Sequence, residues 1–217
     1  MKNEGQGRER TRFSRRSFIK GVGSGVAGAA VIGSGAAALP KPQGDGDLFD
    51  GTHAGPGTVR VTLTINGKNE TLEIEPRTTL VSALRDRMPP ERALTGAKVS
   101  CDRGTCGACT VLLDGKPVYS CLLLAIDCVG RRITTVEGLA EGERLTAVQQ
   151  ALVDHDGLMC GYCTPGVVMA IQGLLNEKSD PTLEDVKRGI SGNFCRCGAY
   201  NRIFEAALAA ARTEKGA

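Results

Sequence analysis

The sequence of 217 residues has no tryptophan, three tyrosines, five phenylalanines and two histidines. So few aromatic side chains do not provide the stacking surface on which single-stranded nucleic acids bind. The net charge of +3 does not indicate a nucleic-acid site either, because residues 1–20 alone carry +5 and the remainder therefore about −2. We expect no nucleic-acid partner.

The sequence also lacks the short motifs of common hydrolases. It contains neither G-x-S-x-G nor H-E-x-x-H, and its acidic and basic residues are scattered as on a solvated surface. A Rieske-type centre needs two histidines, but His53 lies in a stretch rich in Pro and Gly and His155 has no matching partner. We therefore expect no catalytic residues and no substrate-binding site in this chain.

The N-terminus has the features of an export signal. Ser14 to Lys20 reads SRRSFIK, which resembles a twin-arginine signal, and the uncharged run Gly21 to Ala38 follows it. Six Gly, six Ala and two Ser make this run too weakly apolar for a stable membrane span. We predict a twin-arginine signal peptide at 1–38, export to the periplasm, and a linker at 39–57.

The next part of the chain has the pattern of a small mixed sheet. Alternating apolar residues flank Asn66-Gly67 and Asp114-Gly115, which are both typical two-residue hairpin turns. A helix is predicted from Thr79 to about Arg87, and a further short strand at Ile133 to Val136. We place this domain at 58–140.

The remaining residues, 141–217, have helical patterns instead. Four helices are predicted, at 146–154, 165–176, 181–190 and 201–212. Thr164 and Asp180 each precede a proline and are predicted to be N-caps. The whole chain is accordingly predicted to be α+β, with the sheet domain followed by a four-helix domain.

Eight of the nine cysteines form two compact patterns. The first, C-x4-C-x2-C-x11-C, comprises Cys101, Cys106, Cys109 and Cys121. The second, C-x2-C-x31-C-x-C, comprises Cys160, Cys163, Cys195 and Cys197. The first spacing is that of plant-type ferredoxins, in which four thiolates bind a 2Fe-2S cluster.

The glycines of both cysteine segments are predicted to lie against the bound groups. Gly104 and Gly107 can adopt positive φ and have no Cβ to keep backbone N–H groups away from cluster sulfurs. Gly161 and Gly198 are assigned the same role beside the second set. Both arms of that set precede predicted helices, whose N-termini favour an anionic cluster.

Other uses of these cysteines remain open from spacing alone. Four cysteines that include a C-x-x-C also fit zinc, although C-x-C is an uncommon arm of a zinc site. Disulfides are disfavoured, because cysteines so close in sequence close only very small loops. Cys128 is interpreted as a buried apolar residue. The alternative is that Cys128, instead of Cys121, is the fourth ligand of the first set.

Three segments resemble the iron-sulfur subunits of the molybdenum hydroxylases, the xanthine oxidase and aldehyde oxidoreductase family. The segments are CDRGTCGACTVLLDG, CGYCTPG and SGNFCRCGAY, and the resemblance covers roughly residues 58–212. It implies a β-grasp ferredoxin-like domain with one 2Fe-2S cluster on the first cysteine set and a helical domain with another on the second. The twin-arginine start is most similar to exported members of the aldehyde oxidoreductase type.

The resemblance also implies partner subunits. A separate large subunit would bind molybdopterin and hydroxylate the substrate, and electrons would pass through the helical-domain cluster, then the ferredoxin-like cluster, to an FAD-binding subunit or a c-type cytochrome. Such proteins usually have Gln before C-G-x-C, where its amide contacts the pterin, but this chain has Met159, which cannot donate a hydrogen bond. A free-standing two-cluster ferredoxin and a zinc-binding structural module are the alternative functions.

Overall fold

The computed structural model describes residues 57–216, which begin with a five-stranded mixed sheet. The strands are β1 (Val59–Ile65), β2 (Lys68–Ile74), β3 (Thr110–Leu113), β4 (Lys116–Tyr119) and β5 (Arg132–Thr134). The signal peptide predicted at 1–38, and all of the predicted linker except Gly57, lie outside the described residues.

The strand order in the sheet is β2-β1-β5-β3-β4, in which only the β1/β5 pair is parallel. Both predicted hairpins are confirmed. Asn66 and Gly67 have φ values of 50° and 76°, and Asp114 and Gly115 have values of 51° and 82°. These positive angles give the turn a twist that matches that of the flanking strands, so each hairpin keeps its register.

One short helix packs against the sheet. Helix α1 (Leu80–Ser82) starts at Thr79, whose hydroxyl accepts a hydrogen bond from the Ser82 N–H, and continues as a wider turn over Ala83–Arg87. The buried side chains of Leu80 and Leu84 share one core with those of Leu63 and other strand residues. This mixed sheet around one helix confirms the first half of the predicted fold class.

The fifth strand ends earlier than predicted. Its last residue is Thr134 rather than Val136, because the Thr135 N–H donates to the Asn66 side-chain oxygen at 2.9 Å instead of to a neighbouring strand. Val136 then starts a 3-10 turn, Val136–Gly138. The Asn66 side chain therefore terminates the parallel pairing of β5 with β1.

All four predicted C-terminal helices are present, and this confirms the second half of the fold class. They are α2 (Ala147–Asp154), α3 (Thr164–Glu177), α4 (Leu183–Gly189) and α5 (Tyr200–Gly216). A second core lies between them, centred on residues such as Leu152, Ile171 and Ile203. In residues 57–216 no helix is both long and apolar enough to cross a bilayer.

Both predicted N-caps were wrong. Helix α4 is capped by Thr182 instead of Asp180, because Thr182 and Asp185 exchange hydrogen bonds between side chain and backbone in a reciprocal capping box. Asp180 instead forms an ion pair with Lys215 at 2.7 Å. Helix α3 already includes Thr164, and Cys163 occupies the N-cap position without a side-chain cap hydrogen bond.

Helix α3 joins the helical part of the structure to the sheet. Its Gly173 lies against Pro117 of β4, so closely that a Cβ would be 2.6 Å from the proline Cδ. At its C-terminal end, the Asn176 side chain donates a hydrogen bond to the Gly115 carbonyl at 3.3 Å. The domain boundary at residue 140 stays a prediction.

Candidate metal centres

Four cysteines meet where the first cysteine loop enters and leaves the β3/β4 hairpin. Cys109 precedes β3 and Cys121 follows β4, and Thr110 pairs directly with Tyr119. The antiparallel pairing therefore brings these two cysteines together, although they are separated in sequence. Cys101 and Cys106 lie on the loop before β3. We call this set the first centre.

The thiols of the first centre are arranged as two contacting pairs. Cys101 contacts Cys106, and Cys109 contacts Cys121. Backbone N–H groups point at the sulfurs: Gly104 donates to Cys121 Sγ at 3.3 Å, and Thr105 donates to Cys101 Sγ at 3.4 Å. Since each iron of a 2Fe-2S cluster is bound by two thiolates, two thiol pairs with N–H donors fit such a cluster.

The two ends of the first centre differ in their electrostatics. Hydrogen bonds from the Thr105 side chain and from the backbone of Arg103 and Thr105 lower the pKa of Cys101 to about 6. Burial, followed by the neighbouring Cys109, raises the pKa of Cys121 to about 11. The hydrogen bonds therefore favour the thiolate at Cys101, whereas burial favours the thiol at Cys121, and both must be thiolates to bind a metal.

The other four cysteines meet at the starts of two helices, and we call this set the second centre. Cys160 and Cys163 immediately precede α3, while Cys195 and Cys197 lie on the turn before α5. Cys160 contacts Cys197, and Cys163 contacts Cys195. The structure therefore brings all eight predicted ligands together in two groups of two pairs, and their role as ligands remains a prediction.

Backbone N–H groups also surround the second centre. Burial alone would raise the pKa of Cys195, but hydrogen bonds from the backbone of Ala199, from Cys163 and from the backbone of Cys197 and Gly198 lower it below its ordinary value. Cys163 is half-buried, and desolvation, followed by its contact with Cys195, raises its pKa to about 12. As at the first centre, hydrogen bonds lower the pKa of one thiol and desolvation raises the pKa of another.

The four glycines of the two cysteine segments all have positive φ. The values are 70° at Gly104, 68° at Gly107, and 78° at both Gly161 and Gly198. Other residues adopt this conformation only at a cost in energy. Backbone N–H groups at or next to three of these glycines, Gly104, Gly161 and Gly198, donate to cysteine sulfurs.

The remaining interpretations of the cysteines can now be compared with the structure. All nine cysteines lie within the described residues, and all are free thiols. In the same part of the chain, no three Cys, His, Asp or Glu side chains converge as one metal ion would require. Cys128 is buried and its Sγ contacts the Leu124 carbonyl at 3.5 Å, whereas Cys121 is the residue that contacts Cys109.

Three residues that the sequence did not single out connect the two centres. The Tyr162 hydroxyl donates to the Val99 carbonyl at 2.6 Å, the Asn193 amide donates to the Gly107 carbonyl at 2.9 Å, and the Phe194 N–H donates to the Cys106 carbonyl at 2.9 Å. Spacing gives no signal for such contacts, since they join residues more than sixty positions apart.

Two family models match the chain over overlapping regions. Residues 63–146 match the 2Fe-2S iron-sulfur cluster binding domain, and residues 135–208 match the [2Fe-2S] binding domain. The aldehyde oxidoreductase iron-sulfur-binding subunit PaoA of Escherichia coli O157:H7 is 38% identical over 89% of this chain and 86% of its own length. The xanthine dehydrogenase iron-sulfur-binding subunit of the same organism is 40% identical over 72% of this chain and 97% of its own length.

The chain belongs to the iron-sulfur subunits of the molybdenum hydroxylase family. A solved structure agrees: quinoline 2-oxidoreductase from Pseudomonas putida 86 has a TM-score of 0.68 and 41% identity over 73% of this iron-sulfur subunit and 97% of the compared chain. The two domain matches confirm two 2Fe-2S clusters as the cofactors and confirm electron transfer as the role of the subunit. They favour iron-sulfur clusters over zinc at both centres.

Replacement of Gly107 by Ala tests how tightly the first centre is built. A Cβ here would lie 2.5 Å from the Gly192 carbonyl oxygen and 2.6 Å from Asn193 Nδ2, in addition to the strain at positive φ. Gly130→Ala is the matched control, because Gly130 has φ of 77° and open space around it. We expect Gly130→Ala to lower the unfolding free energy by about 1 kcal/mol.

We expect Gly107→Ala to be more destabilising and to remove one of the two EPR signals of the reduced subunit, with iron content falling accordingly. Iron analysis, EPR and thermal unfolding of both variants measure this difference. Equal stability of the two variants, with both signals retained, would show that the close contact at Gly107 has no role.

Proposed function

We propose that electrons enter this subunit at the second centre and leave it from the first. Each cluster gains and loses single electrons, so a two-electron oxidation on the partner is passed on in two steps. The observation that supports this order is the difference in exposure: Cys160 and Cys197 are exposed, whereas Cys109 and Cys121 are buried. The exposed centre is therefore the more accessible to a large partner subunit.

The surface around the second centre supports the same orientation. Met159 is 69% exposed, Phe194 58% and Tyr162 48%, and each lies next to a cysteine of this centre. Large apolar side chains clustered on a surface are typical of a protein interface. We propose that the molybdopterin-binding large subunit covers this surface, where Met159 makes apolar contact in place of a hydrogen bond.

A second apolar surface lies beside the first centre. Leu122 follows Cys121 directly and is 61% exposed, and Leu124, Ile126 and Val129 are exposed along the next turns. We propose that this surface receives the electron acceptor, which is an FAD-binding subunit or a c-type cytochrome. The path then runs from one apolar surface, through the two centres, to the other.

Export of the assembled enzyme to the periplasm is part of the same proposal. The SRRSFIK segment and the uncharged run after it support a twin-arginine signal, which suits a protein that folds with its clusters in the cytoplasm. The large subunit would then cross the membrane bound to this chain.

The order of the relay can be tested by magnetic coupling in the purified complex with the large subunit. A paramagnetic molybdenum signal is split by the nearest reduced cluster. We expect the splitting to persist in Cys101→Ala, which removes a ligand of the first centre, and to disappear in Cys197→Ala, which removes a ligand of the second. The reverse result would mean that the large subunit binds beside the first centre.

Charged substitutions test the docking surface of the large subunit. Glutamate at Met159 or Phe194 introduces a charge that must be desolvated in the interface, and we expect the affinity for the large subunit to fall about tenfold or more. Leu183→Glu is the control, because Leu183 is 44% exposed on α4 and belongs to neither cysteine segment. Binding measurements should be paired with EPR to verify that both clusters are retained; unchanged binding would contradict this docking surface.

Changing both Arg15 and Arg16 to Lys tests the export proposal. We expect this chain and the cofactor-loaded large subunit to remain in the cytoplasm, because the twin-arginine pathway reads the paired guanidinium side chains. Cell fractionation with molybdenum analysis of each fraction measures this. Normal amounts of loaded large subunit in the exported fraction would contradict joint export on this signal.

A further inference from the structure

Each arm of the second centre is hydrogen-bonded to the loop that carries the first. In the arm that contains Cys160 and Cys163, the Tyr162 hydroxyl donates to the Val99 carbonyl at 2.6 Å. In the arm that contains Cys195 and Cys197, the Phe194 N–H donates to the carbonyl of Cys106, itself a cysteine of the first centre, at 2.9 Å. The two cysteine segments are therefore in direct contact.

Asn193 forms the most buried of these links. Its side chain donates to the Gly107 carbonyl at 2.9 Å and to Thr110 Oγ1 at 3.2 Å, and the residue is only 4% exposed. A buried amide that loses its partners is left desolvated and without a hydrogen bond, which is unfavourable. The conformation of the segment before Cys195 therefore depends on the conformation of the loop that contains Gly107.

The packing of α3 reinforces this arrangement. Gly166, in the first turn of α3, lies directly against the Gly107 carbonyl and Ala108, where any side chain would collide with backbone. Cys163 immediately precedes this turn. Both arms of the second centre thus rest on the short segment from Cys106 to Thr110.

We propose that Tyr162 and Asn193 couple the two centres, so that a cluster bound at one stabilises the cluster bound at the other. Binding of a cluster orders the loop that supplies its thiolates. Because the ordered loop of one centre is the hydrogen-bonding partner of the other, part of that ordering is already present when the second cluster binds. Tyr162 and Asn193 are positioning residues in this scheme, since they act through the loops.

The coupling is tested with the full-length chain containing both clusters. Cys101→Ala empties the first centre, and the rate at which an iron chelator bleaches the second cluster is compared with that in the unmodified chain. We expect this rate to rise about fivefold or more, which is the usual lower range for coupled sites. The EPR signal of the second cluster identifies which cluster is lost.

The same comparison is then made in a variant that lacks the side-chain hydrogen bonds of Tyr162 and Asn193. In Tyr162→Phe/Asn193→Ala, we expect Cys101→Ala to change the bleaching rate of the second cluster by less than about twofold, as for independent sites. The single variant Tyr162→Phe removes only one hydroxyl and is not expected to disturb folding. It should therefore reduce the response to Cys101→Ala in part, without a folding defect. Asn176→Ala is the matched control, because the Asn176 amide, like that of Asn193, donates to a glycine carbonyl, that of Gly115, but belongs to neither cysteine segment.

Three results would overturn the proposal. The first is a second cluster whose bleaching rate is unchanged by Cys101→Ala in the unmodified background. The second is a Cys101→Ala effect on the bleaching rate that is undiminished in Tyr162→Phe/Asn193→Ala. The third is an effect that Asn176→Ala abolishes equally well. Coupling must also be reciprocal in binding free energy, so Cys197→Ala must lower the iron affinity of the first centre by about the same factor as Cys101→Ala lowers that of the second.

Discussion

The antiparallel pairing of β3 with β4 is the constraint on which both centres depend. The pairing of Thr110 with Tyr119 places Cys109 beside Cys121 and so closes the first centre. The same hairpin supports α3, through Pro117 against Gly173, and α3 begins at Cys163 of the second centre. The register of these two four-residue strands, which the turn at Asp114-Gly115 fixes, thus sets the positions of Cys109 and Cys121 and supports the helix that follows Cys163.

The two centres provide N–H donors for an anionic cluster from different local structures. A cluster bound by four thiolates is anionic and becomes more so on reduction, so its surroundings must offer N–H dipoles. The first centre takes them from the loop at Gly104 and Thr105, whereas the second takes them from the turn before α5, at Cys197, Gly198 and Ala199. Each contains a thiol whose pKa is raised by desolvation, Cys121 at the first and Cys163 at the second, and such thiols release protons when a cluster is assembled.

Local features of the structure could be predicted from the sequence, whereas contacts between distant segments could not. The pairs Asn66-Gly67 and Asp114-Gly115 are local signals, and the two hairpins that they predict are present. The N-cap of α4 was misplaced because proline after Asp180 gave a plausible start, while the capping box two residues later satisfied more backbone groups. The sequence gives no signal for the role of Asn193, because its partners Gly107 and Thr110 come next to it only after the sheet and helices have packed.

The unequal exposure of the centres has a consequence for how their potentials are set. Cys109 and Cys121 are buried by this chain's own core, and Cys101 and Cys106 are half-buried, so this chain already covers much of the first centre. Cys160 and Cys197 are exposed, so a partner that covers Met159 and Phe194 also removes water from the second cluster. Water stabilises the added charge of a reduced cluster, and its removal makes reduction harder unless the partner supplies dipoles in its place. Docking at this proposed surface would act on the second cluster directly, and would reach the first through the segment from Cys106 to Thr110 and through the hydrogen bond from Tyr162 to Val99.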